Sequence, residues 1–415
     1  MSNLSVEDII DFVEENDVKF IRLAFCDLYG TQKNISIMPQ ELRHAFEEGV
    51  NFDSFLILGY HDGDSQDLFL KPDPDTLHIL PWRPQSGRVV RMYCDVVLAN
   101  GTPFTYDYRN FLKETLNECE KAGFSTRMGL KSEFYLFKTD EDGNPTKEPF
   151  DNGGYLDVAP SDKGENIRRE ICLTLEEMGI IPQTSHHERG PGQNEIDFMS
   201  ADVLTTADNL VTYKNVVENI AARNGVYASF DPLPLADAPG NGLHIKMANY
   251  KGNVNLQTSD VDFSEAFMAG ILNRMRDITL FLNCRRDSYN RFGMAEAPKY
   301  ITWSSQNNSR LFRVPEINGK RDHFILRSPD SCINPYLAGA IILQAGLAGI
   351  KNKEKLPPAL EVNSRFLTED RSAYLEMLPL SIEEAIECAE NSEFITKSSF
   401  SDVAQRYIDI IKSYI

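Results

Sequence analysis

Two glutamates on either side of a tight turn are the first candidates for chemistry. Residues 186–198 read HHERGPGQNEIDF, and the Gly-Pro-Gly triplet forces a loop. Glu188 and Glu195 flank that loop, so their carboxylates could converge. Hard divalent cations such as Mg²⁺ and Mn²⁺ prefer oxygen ligands of this kind. A polar hairpin with solvated charges is the alternative, and spacing alone leaves both interpretations open.

A predicted strand places two side chains of opposite charge next to each other. Residues 128–137 read MGLKSEFYLF, a pattern that is typical of a β-strand. Successive side chains of a strand point to opposite faces, so Lys131 and Glu133 point the same way. One face of the strand therefore presents an ammonium group beside a carboxylate.

Further basic side chains could bind acidic groups. In the segment GNGLHIK, His244 and Lys246 share one strand face. A single histidine beside glycines is more often structural than a ligand. Arg291, Arg313 and Arg327 could each bind a substrate carboxylate through two parallel hydrogen bonds. Taken one at a time, these arginines are more typical of structural or surface ion pairs.

The elements that must position these residues change in character along the chain. The N-terminal quarter has short strand and helix patterns with turn-rich connectors, which predict a small mixed sheet crossed by helices. From about Tyr106, strands alternate with longer helix patterns at 108–121, 164–178, 205–223, 264–282 and 335–350. Helices between non-adjacent strands indicate an α+β domain around a large sheet. We predict two domains in tight contact, residues 1–104 and 105–415.

Composition excludes several classes of function. The net charge of -20 argues against a nucleic-acid partner, because phosphate binding needs clustered Lys and Arg. Apolar runs are too short to span a membrane, and the N-terminus lacks the basic and apolar regions of a secretory signal. The 7 cysteines are dispersed without a CxxC pair, which is typical of reduced thiols. We therefore expect a cytoplasmic protein with a small-molecule substrate and no membrane partner.

Taken together and in order, these segments resemble the signature segments of the glutamine synthetase family. Three further segments match, at residues 288–298 (SYNRFGMAEAP), 303–315 (WSSQNNSRLFRVP) and 326–337 (LRSPDSCINPYL). The resemblance covers nearly the full chain. It implies an α+β fold, with a small N-terminal β-grasp-like domain and a large catalytic domain of helices and an antiparallel sheet. It also implies a ring-shaped homo-oligomer, a hexamer or a dodecamer of two stacked hexamers.

Members of that family phosphorylate glutamate with ATP, after which ammonia displaces the phosphate. Position by position, the resemblance implies one intact site for Mg²⁺ or Mn²⁺, with the ligands Glu133, Glu188 and Glu195. It implies a glutamate pocket made by Gly240, Arg291 and Arg327. It also implies three catalytic residues: Glu296 on a flap, Arg313, and Asp53, which a neighbouring subunit donates to deprotonate ammonium.

The side of the site that would hold ATP departs from the family pattern. The ligands of the second metal are normally Glu, His and Glu, and here the three positions are Lys131, His244 and Ile325. A protonated lysine cannot bind a hard cation and isoleucine has no donor atom, which leaves His244 a doubtful ligand. Asn308, Gln306 and His323 stand where arginines are usual. Lys131, with Lys246, could supply positive charge in place of the lost metal.

Three functions are compatible with this pattern. The first is an enzyme that retains a glutamate or γ-glutamyl pocket and one metal, acts on a γ-glutamyl amide or related carboxylate or amine, and has weak or lost ATP-dependent glutamine synthesis. The second is an ATP-dependent carboxylate–amine ligase in which Lys131 replaces the second metal. The third is a non-catalytic metabolite-binding or structural homologue. Binding of ATP distinguishes the first two.

Overall fold

The computed structural model describes residues 4–60, 67–362 and 372–415, and its N-terminal part is a small sheet with two short helical segments against it. Helices α1 (Val6–Glu15) and α2 (Leu42–Glu47) are interspersed with the strands β1 (Val18–Cys26), β2 (Gln32–Ile37), β3 (Val50–Phe52), β4 (Leu68–Pro72), β5 (His78–Ile79) and β6 (Arg88–Leu98). Helix α1 begins at a capping box. The Ser5 side chain accepts the Asp8 N–H at 3.1 Å, and the Asp8 carboxylate accepts the Ser5 N–H at 2.7 Å.

The N-terminal sheet is mixed, as the sequence predicts. Its strand order is β2-β1-β6-β4-β3, and β5 also pairs with β6. Strands β1 and β6 run parallel, whereas the other pairs are antiparallel. Side chains of α1 and α2, such as Ile9 and Leu42, pack on inward residues of the sheet such as Ile21 and Val90. This part of the chain therefore has a hydrophobic core of its own.

A second and larger sheet carries the candidate chemistry. Its strands are β7 (Ser125–Thr139), β8 (Pro145–Pro149), β9 (Pro182–His187), β10 (Gln193–Asp202), β11 (Val226–Ser229), β12 (Leu243–Lys251), β13 (Val254–Asn255), β14 (Trp303–Ser304), β15 (Phe312–Arg313) and β16 (Phe324–Leu326). The main order is β14-β15-β16-β12-β7-β10-β9, and the pairs are antiparallel except β14 with β15. The long strand β7 is central, so its side chains face neighbours on both sides.

Helices pack around this sheet and form the main core with it. They are α3 (Tyr108–Lys121), α4 (Glu165–Glu177), α5 (Val203–Arg223), α6 (Leu256–Ser259), α7 (Val261–Leu272), α8 (Met275–Leu282), α9 (Arg286–Asn290), α10 (Pro335–Asn352), α11 (Ile382–Asn391), α12 (Glu393–Thr396) and α13 (Ser401–Tyr414). Helices α5 and α10 are buried on most of their surface. None of the helices in the described ranges is long and apolar enough to cross a membrane.

The prediction of one helix over residues 264–282 is wrong. Helix α7 ends at Leu272 and α8 begins at Met275, because Asn273 caps the first helix and Arg274 leaves the helical conformation. The apolar pattern continues through this break, since both helices bury their apolar faces in the same core. The α+β fold class, with a small N-terminal sheet and a larger domain of mostly antiparallel strands and helices, is confirmed.

A buried ionic network joins the two parts of the chain. The Arg109 guanidinium is 4% exposed and lies 2.9 Å from Asp73, 2.7 Å from Asp95 and 3.0 Å from Asp208. Asp73 and Asp95 belong to the N-terminal part, whereas Asp208 lies on α5. A buried cation of this kind needs its partners, so the network fixes the small sheet against the helices of the larger one. The boundary between residues 104 and 105 stays a prediction.

Candidate active site

The predicted residues converge on one cavity beside the large sheet. The cavity has a volume of about 450 Å³ and opens next to β7, β10 and β12. Its lining includes most of the residues named from the sequence: Lys131, Glu133, Glu188, Glu195, Gly240, His244, Arg291, Glu296, Asn308, Arg313, Ile325 and Arg327. Acidic and basic side chains from distant segments therefore face a common space.

Strand register explains how the charged residues meet. Glu133 on β7 lies directly opposite Glu195 on β10, and Lys131 lies opposite Asp197. On the other edge of β7, Lys131 lies opposite His244 of β12. Residues that face each other across strands have close side chains, so the alternation along β7 places Lys131 and Glu133 in the same cavity.

The carboxylates are crowded into two overlapping groups. Ligand atoms of Glu133, Glu195 and His244 lie within 4.8 Å of one another, and so do those of His186, Glu188 and Glu195. Burial, with the negative charges of Glu195 and Glu188, raises the pKa of Glu133 to about 8. Carboxylates that repel one another in a buried site are stabilised by a divalent cation, and oxygen donors suit Mg²⁺ or Mn²⁺. The two groups share Glu195 and each adds one further predicted ligand, Glu133 or Glu188, so the donor atoms suit such an ion beside Glu195.

The Glu133 carboxylate is fixed by the backbone. Its Oε2 accepts the Gly242 N–H at 2.8 Å and the Gln193 side-chain N–H at 3.2 Å. These two hydrogen bonds hold the side chain in one orientation. Fixed ligands lower the entropy lost when a cation binds.

Lys131 already neutralises the other side of this cluster. Its ammonium nitrogen lies 3.0 Å from an Asp197 oxygen and 3.3 Å from a Glu195 oxygen. Burial disfavours the charged form of Lys131, but the Glu195 and Asp197 carboxylates outweigh it and raise the pKa of the ammonium. Asp197 is held in turn by the backbone and hydroxyl of Thr184. Lys131 therefore places a fixed positive charge beside Glu195 and Asp197.

His244 is neutral in this environment. Burial, followed by the positive charge of Arg327 and then that of Lys131, lowers the pKa of His244 well below its ordinary value. Its Nδ1 lies 3.9 Å from Glu195, and the Arg327 guanidinium lies 3.5 Å from its Nε2. A neutral imidazole can act as a ligand, but the neighbouring position Ile325 offers no donor atom.

The arginines of the cavity have free hydrogen-bonding capacity. Arg291 is 3% exposed and donates to the Ser328 carbonyl. Within the described ranges, the Nε atoms of Arg291 and Arg313 are buried and have no hydrogen-bond partner. A Cβ at Gly240 would lie 2.6 Å from the Arg291 side chain, so only glycine allows this close approach. Buried guanidinium groups with unused donors are poised to bind an anionic ligand.

An ion pair that the sequence did not predict lies on the flap side of the cavity. The Arg189 guanidinium lies 2.8 Å from one oxygen of Glu296, and the Arg327 guanidinium lies 3.8 Å from the other. Arg189 also approaches the Tyr155 ring, with 5.9 Å between the guanidinium carbon and the ring centroid. Tyr155 and Arg189 both line the cavity. Arg189 follows Glu188 in the sequence, and that adjacency was the only local signal for it.

Four of the predicted residues, Asp53, Lys246, Gln306 and His323, are not among those that line the cavity. Asp53 is exposed on the N-terminal part and accepts the Phe55 N–H at 3.0 Å. His323 pairs with its neighbour Asp322, and Lys246 lies opposite Ile325 in the sheet. The role of Asp53 as a residue donated by another subunit, and the roles of His323 and Lys246 near a nucleotide, stay predictions.

Comparisons with known proteins agree with the fold and the cavity. The sequence family model of the glutamine synthetase catalytic domain matches residues 105–413. The family model of the glutamine synthetase β-grasp domain matches residues 17–99. The glutamine synthetase of Clostridium saccharobutylicum is 40% identical over an alignment of 417 positions that covers 98% of this chain and 94% of that protein. The glutamine synthetase of Methanosarcina mazei is 42% identical over an alignment of 411 positions that covers 97% of this chain and 92% of that protein.

Solved structures resemble the chain over nearly its whole length. A GmaS/ADP complex superposes with a TM-score of 0.89 at 27% identity, covering 98% of this chain and 95% of that one. The Plasmodium falciparum glutamine synthetase superposes with a TM-score of 0.87 at 22% identity, covering 100% and 96%, and this likeness concerns the fold alone. The resemblance that the motifs indicated is confirmed, and the comparisons favour an enzyme over a non-catalytic homologue. The chain belongs to the glutamine synthetase family and is an enzyme of its carboxylate–amine ligase lineage.

Proposed function

We propose that this enzyme acts on glutamate-like carboxylates or their γ-glutamyl amides at a single divalent cation, and that its ordinary ATP-dependent glutamine synthesis is weak or lost. The observation that carries the proposal is the asymmetry of the cavity. Carboxylates crowd one side, whereas on the other the Lys131 ammonium lies 3.0 Å from Asp197 and 3.3 Å from Glu195, and the family resemblance implies a ligand of the second metal at this residue.

The crowded side of the cavity would hold the cation. Glu133, Glu188 and Glu195 would supply the oxygen donors, and a Mg²⁺ or Mn²⁺ ion bound there would polarise a carbonyl or amide of the substrate. Gly242 and Gln193 keep the Glu133 carboxylate in place through hydrogen bonds of 2.8 and 3.2 Å. These contacts orient the ligand before any cation arrives.

The substrate carboxylates bind to the arginine side. Arg291 and Arg327 are nearly buried, and Arg313 lines the same cavity. Their guanidinium groups donate in pairs to carboxylates, which orients the substrate and brings its γ-carbonyl towards the metal ligands. Gly240 makes room for Arg291 because any side chain there would collide with it.

The nucleotide side argues for the loss of efficient phosphoryl transfer. Ile325 and Asn308 line the cavity, and the family resemblance implies a metal ligand and an arginine at these two positions. Phosphoryl transfer depends on positioning and on neutralising charge, and one missing arginine lowers the rate by roughly 10³-fold or more. The ammonium of Lys131 supplies one positive charge without the bridging geometry of a metal ion.

A second candidate function is an ATP-dependent carboxylate–amine ligase in which Lys131 replaces the second metal. Two observations favour it: the 40% identity to a glutamine synthetase, and the structural likeness to a protein solved with ADP. Ring assembly with Asp53 from a neighbouring subunit, in the cytoplasm, is part of either proposal.

One set of assays separates the two functions. Purified protein with Mn²⁺ is supplied with glutamate, ATP and ammonium in one series, and with glutamine and hydroxylamine, with and without nucleotide, in another. The proposal expects γ-glutamyl transfer or hydrolysis that needs no ATP, abolished in Glu188→Gln. It also expects thermal stabilisation by glutamate and none by ATP with Mg²⁺. Efficient ATP-dependent glutamine formation that exceeds these activities would establish the ligase instead.

A further inference from the structure

We propose that Asp151 and His187 form a brace that positions the turn of residues 188–193 for the binding of a divalent cation. The turn carries Glu188 and leads into Glu195, two of the candidate metal ligands. Neither Asp151 nor His187 is among the residues that line the cavity, so both act through the turn and are positioning residues. The inference rests on the proposed function, because the cation is the same, and it adds the contacts that hold its ligands in place.

The His187 ring holds the first end of the turn. The ring is fully buried, its Nδ1 lies 2.6 Å from the carbonyl oxygen of Glu188, and its Nε2 lies 2.8 Å from Oδ1 of Asp151. Carbonyl and carboxylate oxygens can only accept, so the ring donates one hydrogen bond from each nitrogen. The Asp151 carboxylate balances the positive charge that the ring then carries. The backbone of a candidate ligand is thus fixed by a buried side chain.

The Asp151 carboxylate holds the second end of the turn. Its Oδ1 accepts the Gly192 N–H at 2.9 Å and the Gly153 N–H at 3.1 Å, and its Oδ2 accepts the Lys163 N–H at 2.9 Å. Asp151 is 4% exposed, so bulk water does not compete for these hydrogen bonds. One carboxylate therefore ties the turn both to the segment 151–163 and to the His187 ring.

The same hydrogen bonds exclude a metal site at the brace itself. Ligand atoms of Asp151, Asp162 and His187 lie within 4.8 Å of one another. However, the Arg168 guanidinium donates to both oxygens of Asp162, and both oxygens of Asp151 accept hydrogen bonds. A cation would have to replace all of these contacts. The cluster therefore serves the turn and does not bind an ion of its own.

The turn that the brace holds is closed and packs against β7. The Glu188 N–H donates to the Gln193 carbonyl at 2.8 Å, and the Gln193 side chain donates to Glu133 at 3.2 Å. Gly192 has a φ of 71°, and a Cβ there would lie 2.7 Å from a carbonyl oxygen of β7. A shift of the turn therefore moves Glu188, and it also disturbs the strand that places Glu195 opposite Glu133.

Repulsion among the candidate ligands makes the brace necessary. The negative charges of Glu195 and Glu188 both act on the buried Glu133 carboxylate, so without a cation the three side chains favour moving apart. A turn that is fixed at both ends cannot follow this repulsion, and the ligands stay assembled before a cation arrives. Loss of the partners that orient metal ligands lowers metal affinity by about 10–100-fold.

Calorimetric titration of the chelator-treated full-length protein with Mn²⁺, together with the electron paramagnetic resonance spectrum of the bound ion, tests the proposal. We expect the dissociation constant for Mn²⁺ to rise about 30-fold in His187→Ala, and the spectrum to broaden because the ligands no longer share one geometry. His187→Gln keeps a donor and is expected to lie between His187→Ala and the wild type. The matched control is Tyr93→Phe, which removes buried hydrogen bonds to Thr212 and to the Asp208 carbonyl and leaves affinity and spectrum unchanged.

Wild-type affinity and spectrum in both His187 variants would overturn the brace, while Mn²⁺ binding to the wild type leaves the proposed function standing. An equal loss of affinity in Tyr93→Phe would also overturn the brace, because the effect would then be a general loss of stability. If the wild type binds no Mn²⁺, the brace and the proposed metal site are both wrong. Should His187→Ala fail to fold, His187→Gln and Asp151→Asn decide the question by the same two measurements.

Discussion

Replacement of Lys131 by glutamine should tighten the binding of Mn²⁺ and weaken the metal-free protein. The lysine ammonium lies 3.3 Å from Glu195, a ligand of the candidate metal site, and 3.0 Å from Asp197. It therefore competes with a cation for Glu195 and also repels it. Glutamine has a similar length and no charge, so the variant removes the competition while it keeps the space filled.

The exposed fractions of the side chains set the size of the change in Mn²⁺ affinity. The Lys131 side chain is 37% exposed, whereas the Glu195 and Asp197 side chains are 6% and 9% exposed. A pair between a half-exposed cation and nearly buried acids contributes more than a surface pair and less than a buried one, about 1–2 kcal/mol. Because about 1.4 kcal/mol is a factor of ten, the dissociation constant for Mn²⁺ should fall about tenfold. The metal-free protein should lose stability by a similar free energy.

Isothermal titration calorimetry on chelator-treated protein measures the affinity, and thermal melting with and without Mn²⁺ measures the stability. Lys19→Gln is the matched control, because Lys19 pairs with Asp17 at 2.7 Å on the exposed surface of the N-terminal part. Weaker Mn²⁺ binding to Lys131→Gln than to wild type would refute the reasoning, since it would mean that Lys131 supports the cation instead of competing with it.

Three further predictions concern the second metal, the join between the sheets and pH. The double variant K131E/I325E supplies carboxylates at both altered positions, so calorimetry should show a second Mn²⁺ per chain. A single ion in this variant would contradict the assignment of residues 131 and 325 to a second metal site. Arg109→Met removes the cation that pairs with Asp208, whereas Asp73 and Asp95 keep Lys113, and it should destabilise the fold by about 3–5 kcal/mol, seen as a lower melting temperature; an unchanged value would be the contrary result. Burial raises the pKa of the Asp107 carboxyl from 3.8 to about 7. The protonated carboxyl therefore stabilises the fold fully below pH 3.8, and this stabilisation is lost as the pH rises through about 7. Asp107→Asn should flatten the fall in melting temperature between pH 5 and 8, and an identical fall in both proteins would count against it.

The strands that carry the site were predictable from local pattern. Alternation along residues 128–137 indicated that Lys131 and Glu133 share a face, and both line the cavity. The order of the family motifs then indicated that the segments around Glu195 and Arg291 would meet them. Such information lies in residue type, period and order, and all three are visible in one sequence.

The contacts between charged residues were not predictable in the same way. The partner of Lys131 is Asp197, which lies opposite it on β10, and local pattern does not fix the register between strands. The ion pair of Arg189 with Glu296 joins a β-turn to the flap, two segments far apart in sequence. The break between Leu272 and Met275 was missed because the apolar pattern continues through it. In each case tertiary packing determines the contact or the helix break, which the local sequence pattern does not specify.

The central proposal is that this enzyme has kept one metal site and lost the other. The most direct test is to count the Mn²⁺ ions bound per chain by electron paramagnetic resonance, in saturating Mn²⁺ with a non-hydrolysable ATP analogue. We predict one ion per chain, lost in Glu133→Gln, with no second ion when the nucleotide is added. Two ions per chain in the presence of the analogue, with the magnetic coupling of a neighbouring pair, would contradict the account.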